Sequence, residues 1–244
     1  MPSDNPPDNP RQNVTFPSNG NEAHGYLATP ESGSGPGLVV IQEWWGLTDH
    51  VVDVCNRFAD EGYVALAPDL YGGPTTHDAD EAGRMMEQLP VDRAARDLSG
   101  AVDYLIGHDA VTGERVGAVG FCMGGGFVLQ LAAATGDKVA AAVPFYAVFA
   151  GDPPDMSGVQ AAVLGHFGER DDSNPPDQVR ALRDQLREQA GADVTFHFYP
   201  AGHAFFNDEN LLGTYDAGQA RLAWRRTLQF LETQLGSAVS GAAG

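Results

Sequence analysis

Gly120-Phe121-Cys122-Met123-Gly124 places a potential nucleophile between two glycines, at a junction of two apolar runs of different character. Arg115-Val116-Gly117-Ala118-Val119 before it reads as a short buried strand, and Gly125-Gly126-Phe127-Val128-Leu129-Gln130-Leu131 after it as an apolar helix. A strand, a sharp turn and a helix in that order lift one side chain out at the carboxyl edge of a sheet. The small flanking residues leave room for a strained backbone. Here the lifted side chain is a thiol.

A cysteine at the start of a helix faces unpaired N–H groups and the positive end of the helix dipole, which favours the reactive thiolate. The same groups can hold an oxyanion, with the N–H of Met123 as one donor. The alternative is that Cys122 is a small buried hydrophobe in a glycine-rich turn, as most isolated cysteines are, and the motif alone favours the catalytic reading. The stretch from Val116 to Ala134, in which Gln130 is the one polar side chain, also fits a small-residue membrane helix, but its many glycines argue for a turn. Its partners must decide between these readings.

Those partners emerge from the order of elements. Asn13 to Phe16 and Ala23 to Ala28 are predicted as an opening hairpin around Ser18-Asn19-Gly20, and Gly33 to Gly37 as a loop. Leu38 to Gln42 is a β-branched run suited to a strand covered on both faces. A helix from Asp49 to Gly62 follows, with Cys55 on its apolar side, then a strand from Tyr63 to Ala67 and the loop Pro68-Asp69-Leu70-Tyr71-Gly72-Gly73. Helices are expected over 81–89, 91–108, 176–190 and 216–235, and strands over 139–146, 161–168 and 193–199. This alternation predicts a single α/β domain with a mainly parallel sheet flanked by helices. It is assigned to 13–235, with a disordered lead-in over 1–12 and a flexible tail over 236–244.

Chemistry in such sheets collects at the carboxyl ends of the strands. Asp171 follows the strand 161–168, and His203 follows the strand 193–199. The chain order is therefore nucleophile, acid, histidine, each on a loop after its own strand. His203 would take the proton from Cys122 and later pass it to the leaving group, while Asp171, or Asp172 beside it, would orient the ring. The remaining histidines, His24, His50, His77, His108, His166 and His197, show no metal-ligand spacing. Neither a metal nor a cofactor is called for.

Taken together, Gln42-Glu43-Trp44-Trp45-Gly46, Pro68-Asp69-Leu70-Tyr71, Gly120-Phe121-Cys122-Met123-Gly124-Gly125 and Tyr199-Pro200-Ala201-Gly202-His203-Ala204-Phe205 resemble the dienelactone hydrolase family, the carboxymethylenebutenolidases. The resemblance runs from about Val14 to Leu235. It implies an α/β-hydrolase fold and a Cys122-His203-Asp171 triad that opens a lactone of the dienelactone type to a maleylacetate-type product. It also implies that Glu43 faces the thiol and switches it between thiol and thiolate, and that the N–H of Trp44 is the second oxyanion donor. Independently of the family, a carboxylate between an apolar strand and two tryptophans is a candidate proton partner for the thiol. Family members hold the substrate carboxylate with two arginines. Arg84 fits the first place, but at the second Phe205-Phe206-Asn207 offers an amide instead of a charge. Arg170 is a substitute candidate, and Tyr146 and Phe206 are candidate pocket walls. A broader carboxylesterase or thioesterase of the same fold is the alternative. A flavodoxin-like cysteine enzyme and a non-catalytic binding protein are alternatives of other classes, and the late Asp171 and His203 argue against both.

The chain has a formal charge of −19 and a pI near 4.4. These values argue against nucleic acid and anionic membranes as partners and leave a small-molecule ester or lactone, with a monomer or homodimer acting on it. The amino terminus has no basic or apolar segment of the secretory kind, and Cys55 and Cys122 suggest no disulfide framework, so a cytoplasmic location is expected. All but one of its 14 basic residues are arginine, the exception being Lys138. The hypothesis drawn from this acidic, lysine-poor composition is salt adaptation, with thermal stability expected to rise between dilute buffer and molar salt. Equal melting temperatures in the two would remove it.

Overall fold

In the computed structural model, which describes residues 9–149 and 154–236, the first two strands form the expected hairpin. β1 (Val14–Ser18) and β2 (Asn21–Ala28) pair antiparallel around Asn19 and Gly20, both at positive φ, the two-residue turn whose twist suits a hairpin. The chain continues through β3 (Gly35–Ile41), α1 (Asp49–Asp60), β4 (Val64–Pro68), α2 (Ala79–Gln88), α3 (Val91–Ile106), β5 (Val111–Phe121) and α4 (Met123–Thr135). A 3-10 turn (Gly136–Lys138) leads to β6 (Val139–Phe145), β7 (Ala162–Gly168), α5 (Pro176–Ala190), β8 (Val194–Tyr199) and α6 (Ala217–Leu235).

The strands form one sheet in the order β1-β2-β4-β3-β5-β6-β7-β8. The pairings of β2 with β1 and β4 are antiparallel and the others parallel. Residues of α3, α4 and α5 join the core on one face, and residues of α1 and α6 that on the other. The central strands β3, β4 and β6 are buried throughout, as a sheet covered on both faces requires. This is the α/β-hydrolase architecture. Among the described residues no helix is long and apolar enough to cross a membrane.

The start of β3 differs from the sequence reading for a steric reason. β3 begins at Gly35, inside the expected loop, because that segment pairs with Val111 and Thr112 at an early start of β5. A Cβ at Gly35 would stand 1.9 Å from the carbonyl oxygen of Gly62, so only glycine permits the approach. Residues 1–8 and 237–244 lie outside the described residues, but 9–12 pack on the domain. The Asn9 and Gln12 amides donate to Asp69 Oδ2 at 3.2 and 2.8 Å, and Arg11 meets Asp49 at 2.6 Å.

The passage from β5 into α4 is a further place of close approach. A Cβ at Gly124 would lie 2.4 Å from the carbonyl oxygens of both Ile41 and Gln42, and one at Gly126 would lie 2.2 Å from that of Val148. The start of α4 therefore rests directly on the ends of neighbouring strands. Gly124→Ala is expected to destabilise the protein by about 2–3 kcal/mol through overpacking against backbone that cannot yield. Urea denaturation checks this, and an unchanged midpoint would show the contact to be soft.

Candidate active site

Cys122 is the residue between β5 and α4 and adopts φ 55°, ψ −119°. An L-residue is held at positive φ only when its surroundings determine it, at a cost of order 1–3 kcal/mol. Here the Cys122 N–H donates to Phe145 O at 3.1 Å, and its carbonyl accepts from Gly125, Gly126 and Val148. The side chain is left at the amino end of α4 with 8% of the residue exposed. Met123 is the first residue of the helix, so its N–H has no partner within it.

His203 and Asp171 converge from the loops after β8 and β7. His203 Nδ1 donates to Asp171 Oδ2 at 2.8 Å, and Asp171 is buried. Asp172, the alternative acid, is exposed. Asp171 also accepts from the N–H groups of Ser173 and Asn174 at 2.9 and 3.1 Å and from the Asn174 amide at 3.1 Å. Burial alone would raise its pKa, but the His203 bond and charge and the Asn174 and Ser173 donors hold it below the usual carboxylate value. His203 shows the reverse balance. Burial lowers its pKa, and Asp171 together with the adjoining Cys122 sulfur outweighs this, pushing the ring up to about 10.

Glu43 is 2% exposed, directly after β3. Its Oε1 accepts from the Tyr146 hydroxyl at 3.0 Å and its Oε2 from the Asn207 amide at 2.6 Å. Tyr146 has φ 35° and is wholly buried, and its ring lies edge-on to His203 at 5.1 Å between centroids. Asn207 is thus a partner of Glu43 in this structure, where sequence reading had expected a donor to substrate. Phe206 is buried in an aromatic cluster, stacked on Phe121 at 5.2 Å, and belongs to the core beneath the site. Arg84 is exposed on α2, one residue after Gly83, whose Cβ position is 4.0 Å from the Trp44 ring. Arg170 is committed elsewhere, since its guanidinium donates to the Pro200 carbonyl.

Two contributors escaped sequence reasoning. Asp69 Oδ1 accepts from the N–H groups of Tyr71 and Gly72 at 3.2 and 3.0 Å, an Asx turn that aims Tyr71 at the site. The Tyr71 hydroxyl donates to Trp44 O at 3.1 Å and approaches Met123 Sδ at 3.8 Å, linking the two residues expected to supply the oxyanion donors. Its pKa is raised by burial and by the nearby Cys122. The second is His50, 4% exposed on α1, whose Nδ1 meets Asp208 Oδ1 at 2.8 Å. Burial pulls its pKa down, but Asp208 and the charge of Glu43 raise it. Neither was legible, because the contacts join residues far apart in the chain. Cys55 and His166 are core residues, as burial, which disfavours the charged form of each, leaves them neutral.

The single sheet with its carboxyl-edge loops places the chain in the α/β-hydrolase class, and the thiol at a helix amino terminus and the histidine paired to a buried aspartate lie on that edge. The dienelactone hydrolase family model matches residues 23–235, and the chain belongs to that family, whose members are hydrolases of ester and lactone bonds. It is 33% identical to "Protein usf" of Aquifex pyrophilus over 92% of this chain and 99% of that one. It is 31% identical, with the same coverage, to an Aquifex aeolicus protein provisionally named a carboxymethylenebutenolidase. Among solved structures, a dienelactone hydrolase-like promiscuous phosphotriesterase, P91, from metagenomic libraries superposes with a TM-score of 0.80 at 29% identity, covering 93% of this chain and 98% of that one. Est1E from Butyrivibrio proteoclasticus, at 17% identity and a TM-score of 0.64 over 91% of this chain and 98% of that one, shares the fold.

The pKa balance carries a sign. A ring held charged up to about pH 10 in the folded protein, against 6.5 for the free side chain, contributes stability that is complete below pH 6.5 and lost as pH rises toward 10. Asp171→Asn removes the carboxylate that holds the charge. The melting temperature of the wild type relative to this variant is therefore expected to fall between pH 7 and pH 10. A difference constant over that range would show that the pair does not hold the proton.

Proposed function

We propose that this protein hydrolyses a small ester or lactone through an acyl-enzyme on Cys122, in the manner that opens a dienelactone to a maleylacetate-type product. The observation that carries the reading is the Asp171-His203 hydrogen bond of 2.8 Å with Cys122 adjoining the same ring. His203, its ring pushed up to about 10, holds the proton, and the sulfur of Cys122 acts as the nucleophile. The sulfur adds to the carbonyl carbon, and the oxygen takes the electron pair between the N–H groups of Met123 and Trp44. As the tetrahedral adduct collapses, the C–O bond breaks and His203 passes its proton to the departing oxygen, which in a lactone remains tethered. The neutral ring then takes a proton from water, hydroxide adds to the thioester, and the carboxylic acid leaves as Cys122 is restored.

Glu43 faces this cycle as the second proton partner of the thiol, its two oxygens fixed by Tyr146 and Asn207. Arg84 is the proposed holder of a substrate carboxylate. A specific observation favours a second reading beside the first. The amide of Asn207 is engaged by Glu43 and carries no charge, so an anionic substrate meets one arginine instead of two. A broader carboxylesterase or thioesterase needs no such clamp.

Hydrolysis of dienelactone and of p-nitrophenyl acetate by wild type and Cys122→Ala tests both readings. Loss of turnover by about a thousandfold or more in the variant is expected. Arg84→Ala is expected to cost roughly tenfold to a hundredfold in kcat/KM for the lactone, the worth of a charge-assisted hydrogen bond, and little for the neutral ester. Retained turnover in Cys122→Ala would reject the mechanism. Turnover of simple esters alone would select the second reading.

A further inference from the structure

A recess with a cavity volume of about 80 Å³ runs beside the nucleophile turn. Its floor is Met123, Gly126, Phe127 and Gln130 of α4, spaced i, i+3, i+4 and i+7 and therefore on one helical face. At 1.5 Å per residue this face extends about 10 Å along the helix. Met86 and Leu89, at the end of α2, form one wall, and Val148 the other. The floor is apolar until Gln130 at the far end. Val91, half exposed, sits at the rim, an apolar side chain left in water beside a cavity.

We propose that this recess is the subsite for an apolar acyl chain, which makes the protein selective for esters of medium-length fatty acids; the inference rests on the ester-hydrolase reading above. The recess abuts the nucleophile turn through the two residues next to Cys122. Met123 follows Cys122 directly, and Val148 donates its N–H to the Cys122 carbonyl at 3.0 Å. Direction distinguishes the acyl side from the leaving-group side. The leaving oxygen must reach His203, which comes from the loop after β8 and is held by Asp171 from the loop after β7. No residue of either loop lines the recess. That leaves the α4 side as the space the proposal assigns to the other substituent of the carbonyl carbon. Met123 stands between the two spaces with its sulfur 3.8 Å from the Tyr71 hydroxyl, and its unbranched thioether is the side chain best able to move aside for a chain.

Two measurements test the subsite. In the first, kcat/KM is compared for p-nitrophenyl acetate, butyrate and hexanoate. Each buried methylene is worth about fourfold, so the hexanoate is expected to exceed the acetate by at least about tenfold. Val91→Trp at the rim and Gln130→Glu at the far end are expected to abolish that gain and leave the acetate unchanged within about twofold. In the second, Cys122 is alkylated with N-ethylmaleimide and N-hexylmaleimide, and the rates are taken relative to glutathione and read by mass spectrometry. The hexyl reagent is expected to react faster, and both substitutions to remove its advantage. This second readout needs no turnover. A hexyl preference without hydrolysis of any ester would refute the hydrolase reading and keep the subsite. Equal rates for short and long chains in the wild type, or a preference that survives both substitutions, would overturn the proposal.

Discussion

Everything at this site depends on how closely α4 is allowed to approach the ends of β3, β5 and β6. The Cys122 backbone is bent to φ 55°, and nothing in the residue itself favours that conformation. It persists because the helix starts on top of backbone carbonyls, at distances that exclude a Cβ at Gly120, Gly124, Gly125 or Gly126. Hydrogen bonds from Gly125, Gly126 and Val148 to the Cys122 carbonyl, and from its N–H to Phe145, close the remaining freedom. The strain thus holds the thiol above the sheet, where the unpaired N–H of Met123 and the positive helix end already point. Two further non-glycine residues at positive φ, Tyr146 and Ala204, stand at the same edge. Tyr146 contacts Glu43, and Ala204 follows His203, so the distortions lie where side chains must be aimed.

The two buried carboxylates of the site are satisfied differently. Asp171 accepts from His203, from two backbone N–H groups and from Asn174, which suits a group that stays ionised and holds a ring in place. Glu43 accepts from one phenol and one amide, both neutral. The Asp69 turn adds a brace on the opposite flank. It fixes Tyr71, which ties the Trp44 carbonyl to the Met123 side chain, and residues 9–12 cover the turn from outside.

Much of this was legible because local patterns carried it. Alternating strands and helices gave the sheet, and the glycines around Cys122 gave the turn. The placement of Asp171 and His203 after successive strands gave the pair that the structure brings to 2.8 Å. The register did not follow, because the early starts of β3 and β5 depend on which strand lies beside Gly35, a long-range fact. The partner of Asn207 was missed for the same kind of reason, since an amide 164 residues from Glu43 leaves no mark in spacing. The contributions of Tyr71 and His50 likewise exist only once loops after different strands have met.

These features bear jointly on what the site can attract. A chain of formal charge −19 surrounds the cleft with a potential that disfavours anions, and exposed charges act over only about a Debye length in salt. Within that field Arg84 is an exposed cation on α2, and the position where a second arginine would stand carries Asn207, engaged by Glu43. Beside the nucleophile, by contrast, the floor of α4 offers an apolar face about 10 Å long. Burial of hydrocarbon there is insensitive to the surrounding charge, whereas binding of a carboxylate is opposed by it. The charge, the amide at Asn207 and the recess therefore act in one direction. With the acyl subsite as proposed, they favour the apolar portion of a neutral ester over an anionic head group.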